Sequence, residues 1–144
     1  MVRFVFGFVV GVLVAYLVGA AISTQFVLAE VVAMGLPVGW PVRWNATVTD
    51  LIGLAGAYLP LIAVACLIGF LVCAVLLRWF GNRVFMYALA GFCAVIAMHL
   101  IMNAVLGMAA FAAVRSTTGL LAQGLAGALG GWVFARMTAK PRWA

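Results

Sequence analysis

The sequence predicts an all-α integral membrane protein. Four transmembrane helices are expected, with an interfacial or re-entrant helical segment between the first and second and both termini in the cytoplasm. Three observations carry that expectation. Only 7% of the 144 residues are charged and 69% are hydrophobic, whereas a soluble domain carries about 25% charge. Four apolar runs exceed the ~18 residues that mark a helix able to cross a hydrocarbon core of about 30 Å. The cations are unevenly shared, with Arg3, Arg78, Arg83, Arg136, Lys140 and Arg142 on one side of the four spans and Arg43 and Arg115 on the other. The positive-inside rule turns the richer side toward the cytoplasm and points to the cell inner membrane. These bases are scattered singly between apolar runs, so a net charge of +6 does not signal nucleic acid.

The first span is assigned to residues 3–22. Its run FVFGFVVGVLVAYLVGAAI is longer than the apolar core of a secretory leader, about 7–15 residues, so it is expected to be retained. Residues 23–47 form the outer segment. STQFVLAEVVAMG contains no proline and admits two geometries. One is a single helix from Arg3 to Met34, about 48 Å long. The other, favoured by the apolar content of Phe26, Val27, Leu28, Val31, Val32 and Met34, breaks at STQ and lays residues 25–34 in the interface. Gly35 reads as a helix stop, Pro37 and Pro41 forbid regular continuation, and Trp40 and Trp44 fit an aromatic belt. TVTD then reads as a helix start, with Thr47 as N-cap and Asp50 three residues later.

The second span covers 48–77. Pro60 removes the hydrogen bond to the Gly56 carbonyl, which predicts a kink in a stretch that also holds Gly53. RWFGNR is a short basic turn, and the third span, 84–106, is expected to break at Gly107 ahead of an outer extension, MAAFAAVR. The fourth, 117–136, starts at a cap formed by Ser116 or Thr117, with Trp132 and Trp143 at the inner interface. The two halves of the chain would insert in the same orientation, which excludes an inverted repeat.

Small residues recur every four positions: Gly7, Gly11, Ala15 and Gly19 in the first span, Gly119, Gln123, Gly127 and Gly131 in the last. Such rows let helices approach closely in lipid. They serve either packing within one chain or a homo-oligomer joined through Gly7, Gly11, Gly19, Gly127 and Gly131. Cys66, Cys73 and Cys93 lack metal or disulfide spacing and read as buried small hydrophobes.

His99 is the only histidine, and Asn103 follows one turn later; together they predict a polar patch on one helix face. A haem would need a second axial ligand from methionine or another subunit. A copper(I) ion would draw on Met98, His99, Met102 and Met108, but His99 is rotated about 100° from Met98. No metal and no cofactor are expected. Glu30 and Asp50 are the only carboxylates. Two acids toward the outer side are similar to the arrangement in the small four-helix signal peptidase II class of lipoprotein-processing enzymes. That likeness is architectural, because this chain has no aspartate in its last two spans and lacks the asparagine-and-aspartate motifs of that class. A small multidrug-resistance pump depends on a glutamate in its first helix, which is absent here.

The expected function is therefore non-enzymatic: binding or transport of an apolar or amphipathic ligand, such as a lipid or quinone, in the outer half of the bundle. Candidate ligand-facing residues are His99, Asn103, Glu30, Asp50, Tyr58, Gln123 and Arg115. Two alternatives stand beside it, an accessory or assembly subunit of a larger membrane complex and an intramembrane enzyme using Glu30, Asp50 or His99.

Overall fold

A computed structural model describes residues 2–106 and 112–139. Its elements are α1 (Val2–Ala33), α2 (Trp40–Gly53), α3 (Tyr58–Leu76), α4 (Arg83–Leu106), a 3₁₀ turn (Ala112–Arg115) and α5 (Thr117–Met137). Four of them, α1, α3, α4 and α5, are long and apolar enough to cross a membrane. The expected break at Gly107, Met108 and the tail residues Lys140, Arg142 and Trp143 lie outside the described residues.

The expected break of the first helix at STQ does not occur. α1 runs through it because each polar side chain finds a partner in the helical conformation. The single hydroxyl proton of Thr24 is shared between the Ala20 carbonyl, 3.0 Å from Oγ1, and Asp50 Oδ2, 2.8 Å from it. Ser23 and Gln25 are taken up by α5 and α2. The stop falls where the sequence puts it, at Gly35, whose φ of +85° suits glycine.

The second span is likewise not one helix. α2 begins after Gly39 with a proline in its first turn, where the missing N–H costs nothing. Thr47 therefore lies inside α2 instead of capping it: its hydroxyl donates to the Arg43 carbonyl at 2.8 Å and accepts from Gln25 at 3.1 Å. Asp50 is a tertiary partner of α1, not a member of a capping box. The predicted kink at Pro60 is a full break one turn earlier, at 54–57, which leaves Pro60 in the first turn of α3. At the last helix the expectation holds, with Ser116 Oγ accepting from Gly119 N at 3.0 Å.

α5 forms the middle of the bundle, with α1 and α4 packed antiparallel along it, while α3 rests on α4 and touches α1. Close approach rests on glycine. A Cβ added at Gly11 would lie 2.7 Å from the Gly130 carbonyl oxygen, and one at Gly127 would lie 2.6 Å from Val95 Cγ2 and collide with the Gly91 carbonyl. Gly7, Gly11, Gly19, Gly127 and Gly131 are all buried between helices of the same chain. The rows that the sequence offered to a second copy are thus occupied within the chain.

The core is layered along the bundle axis. At one end Arg3 donates to the Ala139 carbonyl at 2.9 Å and Arg83 to the Thr138 hydroxyl. Above them Phe70 stacks on Phe134 at 4.7 Å, with Tyr87 edge-on to Phe134 at 4.9 Å and Phe8 against Phe70 at 6.2 Å. Cys66 and Cys73 are buried, but Cys93 is exposed, contrary to expectation.

Candidate functional site

A polar layer lies next to the aromatic one. Gly19, fixed in α1 sixteen residues after Arg3, sits about 24 Å along the bundle from the arginine end. At this level Tyr58 of α3, His99 of α4 and Gln123 of α5 are 1%, 2% and 0% exposed. Gln123 Nε2 donates to the Gly19 carbonyl at 2.9 Å and to Ser23 Oγ at 2.8 Å. The Tyr58 hydroxyl donates to Gln123 Oε1 at 2.9 Å and lies 3.2 Å from His99 Nε2.

Proton bookkeeping orients this network. A backbone carbonyl only accepts, so the Gln123 amide must turn its NH₂ to Gly19 and its oxygen to Tyr58. Tyr58 has one proton and spends it on that oxygen. His99 must then donate to Tyr58 from a protonated Nε2, which fixes its tautomer. One side chain from each of three helices and a backbone carbonyl of the fourth are thus joined in one chain of hydrogen bonds. Buried polar groups of this kind hold helices in register within lipid.

A second cluster attaches α2 to the outer part of α1. Arg43 Nη1 donates to Gln25 Oε1 at 2.8 Å, Gln25 reaches Thr47, Thr24 reaches Asp50, and the Tyr16 hydroxyl donates to the Leu51 carbonyl. Residue numbers rise along α2 as they fall along α1, so the two helices run antiparallel.

The structure brings Tyr58, His99 and Gln123 together among the sequence candidates and disperses the rest. His99 turns inward while Asn103 is exposed, so the two do not form the expected patch. Asp50 is half-buried against Thr24; Glu30 is exposed, six residues beyond Thr24 and about 9 Å farther along α1. Arg115 is exposed at the end of the 3₁₀ turn. Among the described residues no group of three His, Cys, Asp or Glu gathers in a metal-holding arrangement.

The larger opening is elsewhere. A groove of about 590 Å³ runs between α3 and α4, walled by Leu61, Ile68, Val72, Met86, Met98 and Ile101. Its floor is the crossing at Gly69, where a Cβ would come within 2.9 Å of Ala94 Cβ and 3.2 Å of the Ala90 carbonyl oxygen. A smaller depression of about 480 Å³ lies beside Leu17, Ile22, Phe26 and Ala122.

No protein-family model matches this chain, and neither a curated protein nor a solved structure is significantly similar to it. The arrangement itself must therefore carry any functional reading. Sequence reasoning missed the groove, Tyr16, Thr24 and Gln25. For the groove a signal existed: residues 61, 65, 68, 72 and 76 recur at helical spacing in a span with no charged side chain.

Proposed function

We propose that this chain is a small polytopic inner-membrane protein, non-enzymatic, that binds or carries an apolar or amphipathic molecule drawn from the bilayer into the α3–α4 groove. The groove carries this reading. Its volume of about 590 Å³ falls within the range of small-molecule sites, about 300–1,000 Å³, and its lining offers no charge for an ion. Tyr58 and Gln123, deeper in the bundle, are engaged with each other and with Gly19, Ser23 and His99, which favours lateral access from lipid over an axial path. The positive-inside rule orients the arginine end, with both termini, toward the cytoplasm.

Ala97 lines the groove and is exposed, so Ala97→Trp fills it without disturbing the core. Native mass spectrometry after gentle extraction tests the reading. The wild-type chain should retain one apolar or amphipathic molecule and the variant should not, while Leu13→Trp on the exposed face of α1 leaves retention unchanged. Retention by Ala97→Trp, or none by the wild type, refutes it. A transmembrane helix of a larger complex is the second reading, favoured by the small floor residues Ala65, Gly69, Ala90 and Ala94. It predicts a stoichiometric protein partner lost from the same variant.

A further inference from the structure

We propose that the α3–α4 groove holds one anionic phospholipid, with an acyl chain along the groove and the phosphate at the turn between Arg78 and Arg83. The inference rests on the groove being a ligand site and adds the ligand's class and orientation.

Charge imbalance at one end of the bundle is the first ground. Arg3, Arg78, Arg83 and Arg136 lie at the ends of α1, α3, α4 and α5 that meet there, while both acids of the chain, Glu30 and Asp50, belong to the opposite end. The arginine contacts are with neutral groups. Arg3 meets a carbonyl, Arg83 a hydroxyl and the Tyr87 ring at 5.1 Å, and Arg136 the Trp132 ring at 5.2 Å. Arg83 Nε is buried with no acceptor among the described residues. Among the described residues no acid meets these arginines, and at the edge of a bilayer the nearest anions are lipid phosphates.

The second ground is where the groove ends. Its walls converge on the turn that joins α3 to α4, with Leu76 two residues before Arg78 and Met86 three residues after Arg83. The N-terminus of the 24-residue α4 opens at the same turn, with Asn82 Oδ1 accepting from Phe85 N at 3.2 Å, and adds the positive end of a helix dipole. From Leu76 to Leu61 the groove spans fifteen residues, about 22 Å. An acyl chain anchored at this end reaches the bilayer midplane, about 15 Å away, within its length. A zwitterionic lipid brings its own cation to the phosphate and would leave the arginine excess in place.

The test uses nanodiscs containing photoactivatable phosphatidylglycerol or phosphatidylcholine with the reactive group in the acyl chain. Labelling of the 61–76 and 86–101 segments is read relative to the exposed face of α1. The anionic probe should label the groove in preference to the neutral one. Arg78→Gln should lower that preference about fivefold, the factor that one arginine contributes near an anionic surface. Arg136→Gln, an equal charge loss at the same end but away from the groove, should leave it within about twofold. Equal labelling by both probes overturns the anionic assignment and keeps the groove as a ligand site; no excess over the α1 face with either probe overturns both. Equal effects of the two arginine variants reveal a diffuse basic field and overturn the localised phosphate. Loss of labelling in excess inorganic phosphate overturns the lipid occupant in favour of a free anion.

Discussion

Gln123 offers the sharpest test of the fold, because its removal has a calculable cost. Replacing it by leucine changes volume little, so the cavity contribution is small. What is lost are three hydrogen bonds, to the Gly19 carbonyl, Ser23 and Tyr58. Hydrogen bonds between helices in a membrane average about 0.6 kcal/mol, so Gln123→Leu should destabilise the bundle by about 2 kcal/mol. Tyr58→Phe removes the bonds to Gln123 and His99 and should cost about 1 kcal/mol.

The two variants share one bond. The double variant should therefore fall short of the sum of the single losses by about 0.6 kcal/mol, the coupling a double-mutant cycle measures. Reversible unfolding in mixed micelles, or steric trapping in bilayers, supplies the four free energies. A neutral or stabilising Gln123→Leu would refute the claim that the network holds the helices together. Strict additivity would refute the Tyr58–Gln123 bond and, with it, the tautomer assigned to His99.

Four further outcomes follow from the packing. Gly127→Ala should destabilise by about 2 kcal/mol or more, since its Cβ meets the Gly91 backbone and Val95. Gly53→Ala should stabilise by up to about 1 kcal/mol, because a Cβ there meets nothing and alanine is the better helix former; the same unfolding assay reads both. Gln25→Ala removes the link between α1, Arg43 and Thr47. Hydrogen exchange should then speed up over Trp40–Gly53 and not over α5, and uniform exchange across the chain would count against α2 as a separately attached element. A lipophilic maleimide should label Cys93 in the folded protein and reach Cys66 only after denaturation, as intact and peptide masses will report.

The four helices long and apolar enough to span a membrane were legible in the sequence because each is a long apolar run, and the glycine rows were legible because close packing in lipid has few other means. Ser116 was legible for a local reason, since a cap is satisfied by the N–H three residues on. The polar layer was only half legible. His99, Tyr58 and Gln123 stand out one by one as polar groups among apolar ones, but their meeting depends on helix order and depth. Asn103 shares roughly one face with His99, yet it is exposed, while α3 begins only at Tyr58, the residue that meets His99.

The stretch from Gly35 to Asp50 was misread for a different reason. TVTD satisfies the local grammar of a helix start, and so does Gly39 followed by Trp40 and Pro41; nothing local chooses between them. The choice is made across the molecule, where the half-buried Asp50 carboxylate, in the third turn of α2, meets the Thr24 hydroxyl of α1. With that pairing fixed, Leu51 is held against Tyr16, thirteen residues from Arg3 and about 20 Å from the arginine end. The end of α2 and the break that follows it therefore fall short of the far edge of a 30 Å hydrocarbon core. Irregular backbone at that depth is tolerated where protein or water covers it. Tyr16, by bonding the Leu51 carbonyl, provides part of that cover and makes a helix that stops partway through the membrane's depth compatible with lipid.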